Sequence, residues 1–500
     1  MLAQPVLAVL LAGPALATQA VFTTVPAGPL DSSGLRVSVL NGVSADGSVA
    51  VGAISDPVHG RVAIRWTPAG GTTVLPSPGS GPTPSFATGI SDDLSTVVGA
   101  RGVGGSLALV RPVRWDAGAA PIDLTTLPIA EHTKPAYVSP EGRFVLGLDE
   151  RIFAPTYARQ GLLWDETGAL VTAFPSNLYF MSAAYDGSFF IARGSAGSVR
   201  VALDGTIRPL SFPLPAMYGS ATAVYSDRTA TVFGGIANVP GVRDDVFLYD
   251  ESAQTMEFAP GLPGNGRTPH RMQLLAPDLG VAVVTYSAPG QRPGIWIPSL
   301  GTAELVSYAD ELGANFGPLA NGLIAATAIS DDGTRIVGSA FTSGVQEGWM
   351  LTFPEDWWRT VGTTFCNPAT PNSTGHPSRT MAFGSDEITA GALRLETHGL
   401  PPNVFGIFAV APTTGGVTPP GSAGPLCLGG AIGRFDRGGQ LLMASPRGRV
   451  RFDVDLGQLP GPNGPRSAAA GETWHFQFWH RDVAGSTSTN FSNAVTVIAR

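Results

Sequence analysis

Apolar residues in this chain fall in short runs, cut by glycine and small polar residues, and one such pattern recurs. VSADGSVAVG (43–52) returns as ISDDLSTVVG (90–99), VSPEGRFVLG (138–147) and ISDDGTRIVG (329–338). Weaker echoes stand at AAYDGSFFIA (183–192), YSDRTATVFG (225–234) and LAPDLGVAVV (275–284). Each reads as a hairpin. Val43 closes one strand, Ala45-Asp46-Gly47-Ser48 turns, and Val49-Ala50-Val51 opens the next. Asp-Gly between apolar runs is a strong hairpin signal, because glycine takes positive φ without a steric cost. The Ser44 hydroxyl is placed to bond the turn backbone, so these Ser and Asp residues read as turn formers rather than metal or catalytic groups.

A second landmark follows each hairpin. Trp66 lies in RVAIRWTPAGG, Trp115 in PVRWDAG and Trp164 in GLLWDETG, while Leu203, Tyr249, Trp296 and Trp349 hold that place in later units. A further β-like run is visible in four units: TTVLP, PIDLTTLP, ALVTAF and AELVSY. The unit is thus four short strands in 42 to 54 residues, with markers at Ser44, Ser91, Ser139, Ala184, Ser226, Ala276 and Ser330. That period with that strand count predicts propeller blades, whereas a β-solenoid would show shorter rungs. The expected fold is all-β, a seven-bladed β-propeller over 21–356 followed by a small β-sandwich. Blade seven reaches GWMLTF (348–353) without an obvious fourth strand, and VFTTVPAG (21–28) is one strand to spare. Pairing them would close the ring and hide a sheet edge.

Beyond Asp356-Trp357-Trp358 the repeat stops. We expect a linker over 357–365 and a β-sandwich over 366–500, with strands in GALRLETHGL, NVFGIFAVA, GRVRFDVDL, ETWHFQFWHRD and AVTVIA. In ETWHFQFWHRD, Trp474, Phe476, Phe478 and His480 share one face, and His475, Gln477, Trp479 and Arg481 the other. The two histidines therefore cannot jointly hold a metal. The core takes Trp474, Phe476 and Phe478. Trp479 with Arg481 reads either as ordinary packing or as a platform for a sugar ring.

Composition narrows the class. Gly 64, Pro 43 and only 14% charged residues suit a turn-rich β protein. A net charge of −8 with a single lysine, Lys134, and no basic stripe argues against nucleic-acid binding. Residues 1–20 carry an apolar run and the Ala15-Leu16-Ala17 cleavage pattern of a signal peptide, without a charged leading segment; a buried first strand is the alternative. No later apolar stretch is long enough to span a membrane. Cys366 and Cys427 are expected to form a disulfide in an exported chain, as no histidine stands beside them at zinc-ligand spacing.

The channel-facing segments NGV (41–43), TGI (88–90), AYV (136–138) and TAI (327–329) repeat no acid, histidine or arginine, which argues against a catalytic centre there. Loops entering the inner strands are more polar: Glu131, His132 and Lys134; Arg267, His270 and Arg271; Asp310 and Glu311. They read as a ligand-binding set or as solvated loop surface. No G-x-S-x-G, H-E-x-x-H or P-loop occurs, and no metal or cofactor is expected.

The hairpin and its Arg-Trp strand resemble the HAF-type extracellular repeats of bacterial secreted proteins. Ser44, Asp46, Gly47, Gly52, Arg65 and Trp66 match that pattern, as do Ser330, Asp332, Gly333, Gly338 and Arg114-Trp115; units four to six depart from it. Through Cys366, NSTG (372–375), LCLGG (426–430), GETWHFQFWHRD and NFSNAVTV, the last part resembles a domain of exported proteins of planctomycete-like bacteria. Neither resemblance implies a catalytic residue set; both imply export and a surface or extracellular setting. The expectation is a monomeric, non-catalytic binding scaffold whose propeller face presents a site for a glycan or a cell-surface protein. The rival is a secreted polysaccharide hydrolase or lyase. It requires two or more of Glu131, His132, His270, Asp310 and Glu311 in one pocket, with paired carboxylates about 5–10 Å apart for hydrolysis. A structural spacer without a ligand is the third reading.

Overall fold

Strand pairing turns the seven hairpins into seven blades. The computed structural model describes residues 19–31, 34–77, 83–127, 132–151, 158–175, 178–183, 188–194, 197–218, 220–226, 231–240, 243–261, 269–276, 280–286, 292–298, 301–354, 357–358, 360–391, 393–446, 448–484 and 487–500. Most of the export signal expected over 1–20 lies outside them. The inner strands are Arg36–Val43, Ser85–Ile90, His132–Val138, Tyr179–Ala183, Ser220–Ser226, Pro269–Leu275 and Leu323–Ile329. Each begins an antiparallel sheet that reaches four strands.

The recurrent serine and aspartate do what turn chemistry requires. Ser44 Oγ donates to Asp46 Oδ1 at 2.6 Å and accepts from the Val49 amide at 3.1 Å. Ser91 with Asp93 and Ser330 with Asp332 repeat the arrangement. The Ser91 hydroxyl, against some burial, holds the Asp93 carboxyl below its ordinary range. Gly47 sits at φ 68°, the left-handed conformation this turn demands. The turns also join neighbouring blades: the Asp331 amide donates to Ala45 O at 3.0 Å, and the Asp92 amide to Pro140 O at 2.9 Å. The third-strand tryptophans are buried between blades. Trp115 Nε1 donates to Pro76 O at 2.9 Å and Trp164 Nε1 to Thr125 O, each reaching the exit of the preceding blade's outer strand.

Ring closure mixes the chain ends. Val21–Val25 is the outer strand of blade seven, antiparallel to Val345–Thr352 from Val21↔Thr352 to Val25↔Gly348. Val25 is fully buried, and the Phe22 ring lies 4.4 Å from that of Phe316 and 5.9 Å from that of Trp349. Ser38 Oγ of blade one donates to Val25 O at 2.6 Å and accepts from the Gly348 amide at 2.8 Å, tying blade one, blade seven and the closing strand together.

One β-like run departs from expectation. In AELVSY only the beginning is strand (Gly301–Glu304); the rest opens a helix, Leu305–Glu311. Leu305, Tyr308, Ala309 and Leu312 recur at helical spacing and are all buried, so the apolar stripe decides for helix. This is the helix that meets the second unit.

That unit is two packed sheets. One contains Thr360–Val361, Arg379–Gly384, Leu393–His398 and Val450–Val454; the other is built on Thr363–Phe365, Thr487–Ile498, Thr473–Ala484 and Phe405–Ala411. The stretch 357–365 that joins it to the propeller is itself partly strand. Leu395, Phe408, Val410, Trp474, Phe476, Phe478, Val495 and Val497 form the core between the sheets. The opposite face of Thr473–Ala484 is less open than its alternation suggests. His475 is 8% and Gln477 0% exposed, because the hairpin of Thr413–Val417 and Leu426–Gly429 covers them. Gln477 holds that hairpin down: its Oε1 accepts from the Cys427 amide at 2.8 Å, and its Nε2 donates to Pro425 O at 3.1 Å.

Cys366 and Cys427 form a disulfide across 61 positions, tethering the start of the unit to this hairpin. Reducing it should destabilise the sandwich by about 4 kcal/mol in the chain-entropy account. Melting curves with and without a thiol reductant check this; coincident curves would contradict it. Among the described residues no helix is long and apolar enough to cross a membrane.

Candidate functional site: the channel mouth

Every inner strand carries a β-bulge at the same place, at Asn41, Thr88, Ala136, Met181, Val224, Gln273 and Thr327. Four of the seven bulged residues have side-chain donors, and each donates to the carbonyl just before the bulge of the next blade. Asn41 Nδ2 reaches Ala87 O at 2.8 Å, Thr88 Oγ1 reaches Pro135 O at 3.2 Å, Gln273 Nε2 reaches Ala326 O at 2.8 Å, and Thr327 Oγ1 reaches Leu40 O at 2.6 Å. In blade five, Tyr225 OH donates instead to Gln273 O. These bonds pin the channel wall along blades six, seven, one and two. Ala136, Met181 and Val224 have no donor to continue the series. The channel segments, which repeat no acid, histidine or arginine, nonetheless carry a polar seam at the first position of NGV, TGI and TAI.

Inner strands end at the Ser-x-Asp turns, so their first residues lie on the opposite rim. Arg61, just after the Asp56–Gly60 hairpin, and Gln346, just after the Thr342–Val345 hairpin, lie on that same rim. A cavity of about 610 Å³ opens there, lined among others by Asn41, Arg61, Phe86, His132, Lys134 and Gln346. Lys134 Nζ stands 3.9 Å from Glu150 Oε2, and His132 Nδ1 lies 3.4 Å from Ala108 O. Arg61 from blade one and Lys134 from blade three thus give this mouth a cationic wall, set against the apolar ring of Phe86.

Of the residues singled out in the sequence, His132 and Lys134 reach this cavity. Glu131 and Arg267 lie outside the described residues. His270 occupies an additional bulge of blade six, with its Nδ1 buried and without a hydrogen-bond partner, and Arg271 beside it is exposed. Neither lines the mouth. Asp310 is exposed on the helix, whereas Glu311 is taken up at the seam between the units, pairing with Arg449 Nη1 at 3.0 Å and accepting from Ser445 Oγ at 3.3 Å. Trp479 and Arg481 flank the Phe405 ring, at 6.1 Å edge-on and 5.7 Å respectively. The described candidates are therefore not gathered in one pocket, and the paired-carboxylate geometry that polysaccharide hydrolysis needs is not formed by them. Among the described residues no group of three His, Cys, Asp or Glu side chains is placed to hold a metal.

Sequence reasoning missed Arg61, Asn41 and Gln346. Arg61 was within reach. In RVAIRW, Val62, Ile64 and Trp66 face the buried interior, which puts Arg61 on the other side at the start of the strand. Its meeting with Lys134 depends on the curvature of the ring and leaves no local signal.

No family model matches the chain, and no curated protein matches it. Solved structures do. They include TolB from Acinetobacter baumannii, at 10% identity over 64% of this chain and 65% of that chain with a TM-score of 0.33. The β-propeller domain of the Trilobed protease from Pyrococcus furiosus matches at 12% identity over 62% of this chain and 94% of its own, with a TM-score of 0.40. Pyrococcus horikoshii acylaminoacyl peptidase matches at 9% identity over 76% and 58%, with a TM-score of 0.43. The match thus spans less than two thirds of the TolB chain. These likenesses carry no functional argument, and the seven blades rest on this chain's own strand pairing.

Proposed function

We propose that the protein is an exported, non-catalytic binding protein whose propeller holds an acidic glycan at the channel mouth. One observation carries this reading: Arg61 and Lys134, from different blades, line the same cavity beside His132 and the Phe86 ring. Cationic groups on a concave surface attract carboxylate or sulfate, and an aromatic ring offers a sugar its apolar face. The pinned wall at Asn41, Thr88 and Thr327 supports the reading, since a site on a rigid wall loses less entropy on binding. Export is supported by the disulfide, which persists in oxidising compartments.

The test is an array of uronate-containing, sulfated and neutral glycans probed with the full chain and with the Arg61→Ala/Lys134→Ala variant. Acidic glycans should bind preferentially, more weakly as salt rises. The variant should lose about ten-fold or more in affinity, at roughly 1.5–3 kcal/mol per hydrogen bond to a charged group. Equal binding of neutral and acidic glycans, or an unaffected variant, would overturn the reading.

A further inference from the structure

A second cavity, of about 110 Å³, opens where the outer ends of blades five and six meet the sandwich. It has room for about four waters at roughly 30 Å³ each. Its propeller wall is Pro260, Gly261, Gly301 and Thr302, and the bond from Thr302 Oγ1 to Pro260 O at 2.9 Å fixes that wall across the two blades. The sandwich wall is basic. Arg379 stands opposite His398 on one strand ladder, and the next ladder ends at Thr397↔Val450, which brings Arg449 beside His398. All three line the cavity, together with His376 from the turn that precedes Arg379. Among the described residues no acid lines it. Basic groups side by side across neighbouring strands repel one another when charged, so a row of this kind is stabilised by a negative partner.

The carboxylates behind this wall are already engaged. Glu396 pairs with Arg394 at 2.8 Å and with His398 Nε2 at 3.2 Å, and Glu311 pairs with Arg449 Nη1 at 3.0 Å. Arg379 has no ion pair among the described residues; Glu257 of blade five feels its charge without pairing with it, and desolvation outweighs that charge and raises the Glu257 carboxyl. From this arrangement we infer a binding site for one small oxyanion (a phosphate, sulfate or carboxylate group) held by Arg379, Arg449 and His376 at the junction of the two units, separate from the channel mouth. The planar guanidinium fork of Arg379 matches two oxygens of such a group. Arg449 keeps further N–H groups once Nη1 is given to Glu311. The volume suits one such group and leaves no room for a chain of sugars.

The experiment is equilibrium dialysis of the full chain with radiolabelled inorganic phosphate, sulfate and acetate, chloride serving as competitor. It is done in the Arg61→Ala/Lys134→Ala background, which removes the cations of the channel mouth, so failure here and failure of the reading given to that mouth are distinguishable. At least one of the three oxyanions should bind, one per chain, and more weakly as ionic strength rises. Adding Arg379→Ala should weaken it about ten-fold or more, the loss of a hydrogen bond to a charged group. Arg379→Lys, which keeps the charge and loses the fork, should fall between the two. Because Arg379 is exposed, both variants should keep the parent melting temperature. No binding of any of the three oxyanions overturns the inference. Binding unchanged by Arg379→Ala, or displaced by chloride at equal concentration, overturns it equally.

Discussion

A chain lacking residues 21–30 is expected to melt about 10 °C or more below the full chain. The deletion removes the outer strand of blade seven, and with it the fully buried Val25 and the Phe22 contacts to Phe316 and Trp349. Burying a side chain of this size stabilises by about 1.5–3 kcal/mol. The two together approach 5 kcal/mol before the ladder of backbone hydrogen bonds is counted, against a typical total of roughly 5–15 kcal/mol. At about 2–4 °C per kcal/mol, a shift of this size follows. The deletion also uncovers the edge of Val345–Thr352, so the shortened protein should associate at high concentration. A synthetic peptide spanning 19–31 should restore the melting temperature by adding the strand in trans. Thermal denaturation decides. An unchanged melting temperature would mean that the ring does not depend on this strand.

Replacing Trp357 and Trp358 together by alanine should cost about 6 kcal/mol and uncouple the two units. Trp357 is 1% exposed, stacks on Phe353 with centroids 3.8 Å apart, and donates through Nε1 to Gly333 O at 3.1 Å. Trp358 Nε1 donates to Asp332 O at 2.7 Å, so both indoles bolt the connection to the hairpin turn of blade seven. From the sandwich side, Arg394 Nη2 donates to Trp357 O at 3.2 Å. Trp357, Tyr308 of the helix, and Met381 and Phe383 of the sandwich belong to one continuous apolar core. A large-to-small change at a buried tryptophan costs about 3–5 kcal/mol, and adjacent changes add only in part. Calorimetry should show one transition for the full chain and two for the variant. A single transition at the original temperature in the variant would refute the role given to this pair.

Much of the architecture was legible because its signals are local. A hairpin with Ser, Asp and Gly at fixed offsets writes its own turn, and Ser44, Ser91 and Ser330 need no distant partner to do so. The closing strand was legible by counting: one spare strand before the first unit, one missing from the last. The helix Leu305–Glu311 was harder, because AELVSY by itself suits either period. Only the extension to Ala309 and Leu312 separates a 3.6-residue repeat from alternation. The seam escaped for another reason. Glu311 sits beside Arg449 through the docking of two folded units, and no spacing along the chain encodes that. The same holds at the mouth, where His132 and Lys134 stood out as polar residues entering a strand, while their neighbour Arg61 comes from another blade.

The way the ring shuts also sets a timetable. Gly348 bonds to Ser38 across 310 positions of chain, and the strand at 21–25 pairs with residues further on still. During synthesis the strand at 21–25 emerges long before its partner at 345–352 and is thus among the last to find its place. Six blades can zip up from near-neighbour contacts, but the seventh must wait for the whole ring to assemble and bend round. Contacts so distant in sequence are slow to form, and until they do the incomplete ring keeps two bare edges. Closure is therefore expected to be the late step of folding.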